Sequence, residues 1–163
     1  MQRVNPGFLW MFLLVMGCLP GKAQSNADEK KQKLQTIIDS KKYSFIAQSA
    51  TSKKGRTVQL STGYGLSLIQ DSLRVDLPYY GRAYTANYPS DNDMGIQFAS
   101  HDFSYLADTT KKGGWSITIK PKGVKVTAIY LSISSSGYCS VSINSSDRDP
   151  ISYYGTIADY TGH

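Results

Sequence analysis

The chain has 163 residues, a formal net charge of +6 and 18% charged residues. A basic excess of this size is a statement about solubility and does not by itself mark a nucleic-acid binder, so no nucleic-acid partner is expected. A chain of this length suits one domain.

The first element is a leader. Met1 to Gly7 carry one positive side chain, Arg3, and Phe8 to Leu19 form an apolar run that Pro20 and Gly21 break. This is the order of a secretory signal, and the run is well short of the roughly 20 apolar residues a spanning helix needs. Residues 1–23 are therefore read as a signal peptide, which places the protein outside the cytoplasm, in the periplasm or outer envelope. Gly21-Lys22-Ala23 puts small residues at the −3 and −1 positions, so cleavage would leave Gln24 first. Val15-Met16-Gly17-Cys18 offers a second reading as a lipobox, in which a lipidated Cys18 tethers the protein to a membrane and residues 19–42 become a stalk. Cleavage after Ala23 leaves Cys139 as the one cysteine, so that form holds its core by packing and not by an internal disulfide.

Residues 24–42 form a helix or linker, with the helix expected over 25–40. Ser25 or Asn26 would cap it, and Asn26 with Glu29 fits a capping box. Leu34, Ile37 and Ile38 make a thin apolar stripe on a face of Lys and Gln.

From Tyr43 the period becomes two, and residues 43–163 are read as a single β-rich domain. Tyr43, Phe45 and Ala47 alternate with polar residues. So do Val58 and Leu60; Tyr64, Leu66 and Leu68; Leu73, Val75 and Leu77; Ile96 and Phe98; Trp115, Ile117 and Ile119; Cys139, Val141 and Ile143. Each is a half-buried strand with one wet face. Val126 to Ile133 carries apolar residues on both faces and is expected to be a central strand. Ser52–Gly55, Gln70–Ser72, Thr110–Gly114 and Ser134–Gly137 read as tight connections, the first and third with Gly at positive φ. The fold class expected is mainly β: an antiparallel curled sheet, or a two-layer sandwich or barrel, of about eight or nine strands with one N-terminal helix.

Leu77-Pro78-Tyr79-Tyr80-Gly81-Arg82-Ala83-Tyr84, then Gly95-Ile96-Gln97-Phe98, Ser136-Gly137-Tyr138 and Ile151-Ser152-Tyr153-Tyr154-Gly155, resemble a known family. It is the domain of unknown function numbered 4251, found in secreted and lipoprotein-like proteins of Bacteroidetes. The resemblance covers roughly residues 30–159. It implies export and one β-rich domain, and no activity, cofactor or functional residue.

The residues that carry chemistry are few. Tyr79, Tyr80, Tyr84 and Tyr88 crowd around Arg82; tyrosine rings stack on flat ligands and Arg clamps carboxylates. Pro78 should end the ladder, Gly81 should take a backbone angle closed to other residues, and Tyr79 and Tyr80 should point to opposite sides. Tyr79, Tyr80, Arg82 and Tyr84, with Tyr153 and Tyr154 as neighbours, form the expected ligand-binding set. His101-Asp102 has only His163 to complete a metal site, and metal sites need three or four ligands, so no metal or cofactor is expected. Cys139 lies on an apolar face with no base beside it, which suits a small buried hydrophobe. Lys53, Lys54, Lys111, Lys112, Lys120, Lys122 and Lys125 sit at turns and would form a basic rim if those turns shared one end. Asp91-Asn92-Asp93 and Asp147-Arg148-Asp149-Pro150 read as turns. No catalytic residue is assigned. The function expected is a non-enzymatic exported module binding an envelope glycan or another envelope protein. The alternatives are a glycan-directed hydrolase using Asp carboxylates and a purely structural lipoprotein.

Overall fold

The computed structural model describes residues 22–82, 84 and 95–160. Residues 1–21 of the leader, including Cys18, together with Tyr88, the Asp91-Asn92-Asp93 run and His163, lie outside the described residues. One helix, α1 (Lys22–Asp39), precedes ten strands: β1 (Lys42–Ser52), β2 (Thr57–Gln59), β3 (Gly65–Ile69), β4 (Ser72–Pro78), β5 (Gly95–Ser100), β6 (Phe103–Thr109), β7 (Trp115–Pro121), β8 (Val126–Ile133), β9 (Tyr138–Ser145) and β10 (Ile151–Asp159). Among the described residues no helix is long and apolar enough to cross a membrane.

The strands make one antiparallel sheet in the order β5-β4-β3-β1-β10-β9-β8-β7-β6, with β2 paired to β1. Its two edge strands, β5 and β6, are joined by only His101 and Asp102, so the edges are drawn together and the sheet curls into a nearly closed barrel. Lys122 N–H donates to Asp102 O (2.9 Å), and His101 Nδ1 lies 3.2 Å from Asp71 O. These contacts tie the link to the β7–β8 and β3–β4 turns.

Alternation builds the interior. Tyr43, Phe45, Leu66, Leu68, Leu73, Leu77, Ile117, Ile119, Ile129, Leu131 and Ile143 are fully buried, so these side chains pack the barrel interior. A bulge in β1 between Ala47 and Ser49 shifts the inward set from odd to even positions, which is why Ala50 is buried. The extra residue, Gln48, also interrupts the other edge of β1: its carbonyl accepts from Leu60 N–H (2.9 Å), and β2 and β3 pair on either side of it. β8 is flanked by β9 and β7, but it buries one face and exposes Thr127, Tyr130 and Ser132 on the other. A second bulge between Val126 and Ala128 accounts for Ala128 and Ile129 both being buried.

The helix packs its Leu34, Ile37 and Ile38 stripe over the end of the barrel where β1, β7 and β9 begin. Trp115 Nε1–H donates to Gln35 Oε1 (3.0 Å), and Leu34 lies beneath Gly137. Ser25 and Asn26 do not cap α1. They lie inside it, because Lys22, Ala23 and Gln24 are good helix formers and continue the helix upstream. The helix stops where Lys41 takes φ +51° and its N–H turns back to Ile38 O (3.1 Å). Gly55 and Gly113 take positive φ in their loops, as the turn signals require.

Candidate functional site

At the barrel end opposite α1, the Leu77–Tyr84 run meets the β9–β10 connection. The β4–β5 ladder ends at the Pro78–Gly95 pair, since Pro78 has no N–H to continue it. The chain then lies along residues 147–149, with Asp149 N–H donating to Arg82 O (3.0 Å) and Tyr84 N–H donating to Asp147 O (2.8 Å). Tyr79 turns inward and its hydroxyl is shared between Arg82 O (2.9 Å) and Asp149 O (3.1 Å). Tyr80 is exposed. Tyr153, from β10, donates its hydroxyl to Pro78 O (2.9 Å). Gly81 is not at positive φ. It is glycine's lack of a side chain that matters, because a Cβ there would collide with the Tyr79 hydroxyl.

The centre of this junction is an ion pair that the sequence reading placed in a turn. Arg148 and Asp147 are 9% and 8% exposed. Arg148 Nε and Nη2 donate to the two Asp147 oxygens at 3.1 and 3.2 Å, Nη1 donates to Gly95 O (3.1 Å), and the guanidinium stands 5.0 Å from the Tyr79 ring centroid. Lys125 Nζ adds a second cation 3.4 Å from Asp147. Burial works to raise the Asp147 carboxyl, but Arg148 and Lys125 outweigh it and hold the group below the usual carboxylate range. Asp149 is also lowered, chiefly by the hydrogen bond from Tyr84 and then by Lys53, 3.2 Å away. Both carboxylates are held as anions. A cleft of ≈ 310 Å³ opens beside Arg148, between β5 and the β7–β8 turn, where the barrel's edges part.

The expected ligand-binding set therefore divides. Tyr79 and Tyr153 are committed to backbone carbonyls, and Tyr84 to Asp149. Tyr80 and Arg82 are exposed at this end. Tyr154 is not part of the junction: alternation along β10 puts it on the outer face, opposite in direction to Tyr153. His101 is exposed and Asp102 pairs with Lys122 (3.0 Å). Among the described residues no three His, Cys, Asp or Glu side chains converge to hold a metal ion. Cys139 is buried, and burial pushes its thiol up to about 12. The lysines do not form one rim. Lys53, Lys54, Lys122 and Lys125 lie in turns at the end opposite the helix, whereas Lys111 and Lys112 lie in the β6–β7 turn at the helix end, because successive turns of a meander alternate ends.

On the outer face of the barrel, Tyr154 of the expected set meets residues that carried no expectation of a site. Tyr154 stacks against Tyr138 of β9, ring centroids 6.0 Å apart and planes 13° from parallel. The two are 47% and 51% exposed, and Tyr130 of β8 stands outward nearby. Ser132, Ser140, Ser142 and Ser152 occupy outward positions between them. In the adjacent strands β1, β10, β9 and β8 the only charged residues are Lys42 and Asp159, both at strand ends. A cleft of ≈ 470 Å³ lies at the helix end of this face, lined by Tyr138, Tyr154, Ser132, Ser134, Ser136 and Ser140. The signal in the sequence was the recurrence of Tyr and Ser, without Lys or Glu, at the wet positions of these strands.

A nearly closed antiparallel barrel with a helix over one end is an architecture shared with the crystal structure of a DUF4251 family protein from Bacteroides eggerthii DSM 20697. The TM-score is 0.62 at 15% identity, over 83% of this chain and 91% of that one, a likeness of fold. The family model for DUF4251, a domain of unknown function, matches residues 25–157, and the chain belongs to that family. No curated protein matches it.

Proposed function

We propose that the protein is an exported, non-catalytic envelope module that binds a ligand or partner through the outer face of β8, β9 and β10. The observation that carries this reading is the half-exposed, stacked Tyr138–Tyr154 pair on strands without charged side chains in their interiors. Tyrosine gives a broad contact area with a polar handle at little entropic cost, and exposed aromatics of this kind concentrate at binding surfaces. Binding is favoured over hydrolysis by the state of the carboxylates. A glycosidase acid needs a carboxyl raised toward neutrality. The two carboxylates gathered at the junction, Asp147 and Asp149, are instead pulled down by their cationic and hydroxyl partners, so neither suits the acid role.

The test is retention on native envelope material. Tyr138→Ser and Tyr154→Ser should release the protein while leaving its melting temperature within a few degrees, and no reducing ends should accumulate. Retention unchanged in both variants would overturn the reading. Export rests on the leader sequence. Intact-mass measurement of protein from its native envelope should show Gln24 first, and a lipid-modified Cys18 would replace soluble export by membrane tethering.

A further inference from the structure

The surface just proposed for binding has a composition that selects its ligand. We propose that the ligand is an uncharged glycan chain, seated across β10, β9 and β8 with a sugar ring against Tyr138 or Tyr154 and its hydroxyls on the surrounding serines. This assignment rests on the binding role of that face and adds the chemical class of what is bound.

Charge is the first argument. The protein carries 18% charged residues, yet between their ends β1, β10, β9 and β8 carry none. An acidic or basic ligand laid across them would lose hydration without meeting a counter-charge, which is costly. Lys112 is the one charged residue among those lining the ≈ 470 Å³ cleft. It comes from the β6–β7 turn, not from the strands that form the floor.

Hydroxyl chemistry is the second. A serine hydroxyl donates one hydrogen bond and accepts two, the same inventory as a sugar hydroxyl. Ser134 and Ser136 are held in the β8–β9 turn by a 2.9 Å contact between their hydroxyls. The Ser132 and Ser140 hydroxyls, among the described residues, make no hydrogen bond within the chain. They face outward on neighbouring strands, paired across the ladder at one height. A protein interface would instead present an apolar centre. Here the residues opposite the rings across the ladder are hydroxyl-bearing, Ser140 and Ser49 for Tyr154 and Thr156 for Tyr138, with the apolar Ile46 one strand further away. The rings supply the third argument: the aliphatic C–H face of a pyranose needs a flat, half-exposed aromatic surface, and both rings of the stacked pair remain half-exposed. The cleft is within the range of small-ligand sites, about 300–1,000 Å³.

The experiment is an NMR titration of the full chain with neutral hexasaccharides (of glucose, mannose and xylose, in β and α linkage) and with anionic ones (oligogalacturonate and hyaluronan). At least one neutral probe should shift amides of β8–β10 saturably. Tyr154→Ala should weaken that binding by about tenfold, equivalent to about 1.4 kcal/mol. Ser140→Lys, which keeps the rings and adds a charge, should also weaken it. Folding of each variant is checked by its own amide spectrum. Shifts on this face by anionic probes alone would overturn the uncharged-glycan assignment and leave the binding module standing. So would silence with every glycan while envelope material still protects these amides. Silence with both would overturn the two readings together, and neutral binding that survives both variants would place the site elsewhere.

Discussion

Cys139 shows how far alternation alone reaches. Its spacing with Val141 and Ile143 gave it a buried face, and the structure places it there with its thiol raised to about 12 by burial. At neutral pH almost none is thiolate, the reactive species. Thiol reagents should therefore label native protein no faster than it unfolds, and Cys139→Ser should cost about 1–3 kcal/mol by burying a hydroxyl among apolar side chains; rapid labelling without denaturant would contradict both. Tyr79 shows where alternation fails. The sequence marked it as a tyrosine beside an arginine, which suits a ligand handle and an internal hydrogen bond equally. What decides is that two carbonyls, those of Arg82 and Asp149, converge on its hydroxyl, a fact of tertiary placement. Tyr79→Phe should lower stability by about 1 kcal/mol in a denaturant titration and leave envelope retention intact.

At the scale of elements, the strands with regular apolar–polar alternation were legible and two others were not. β6 escaped because it is an edge strand whose outward positions include Leu106, so its apolar residues fall on both faces. β10 escaped because Gly155 stands at an inward position and Tyr154 at an outward one, which inverts the expected pattern at its centre. Gly155 has a structural reason. It lies opposite Ala47, next to the β1 bulge, where the Ile46 carbonyl comes so close that an added Cβ would overlap it. Backbone cannot move aside as a side-chain tip can. Gly155→Ala should therefore cost about 1–3 kcal/mol and broaden amide signals of β1 and β10. A variant as stable as the parent would mean that the bulge adjusts freely. The helix was legible from its stripe of Leu34, Ile37 and Ile38, though its start was not, since capping residues carry no signal when good helix formers precede them.

For the molecule as a whole, the curl of the sheet followed from strand number, but its closure depends on contacts between segments distant in sequence, which no local pattern encodes. One set of contacts holds the two-residue link between the edge strands, where His101 meets Asp71 of the β3–β4 turn and Asp102 meets Lys122 of the β7–β8 turn. The other makes the junction at the end opposite the helix, where Arg148 spans Asp147, Gly95 and Tyr79 and so joins the β9–β10 connection to β5 and to the segment after β4. Asp-Arg-Asp in a sequence reads as a solvated turn, and only burial turns it into a tie. Its pH dependence has a definite sign. The Asp147 carboxyl titrates lower in the folded protein than the value of about 3.9 it takes in the unfolded chain. Between those two values the unfolded state binds more protons, so stability rises with pH there. The contribution is complete above the unfolded value and lost as the pH falls through the folded one. Urea midpoints should accordingly be flat in this respect from about pH 5 to 8 and decline in acid. Asp147→Asn should lower the neutral plateau and flatten the acid limb. Arg148→Met, which leaves the buried carboxylate with Lys125 as its cation, should cost about 3 kcal/mol at neutral pH and recover part of that loss in acid, where protonation removes the under-compensated charge. An acid limb as steep in Asp147→Asn as in the parent would assign the acid sensitivity to other carboxylates and remove the tie from the account of how this barrel closes.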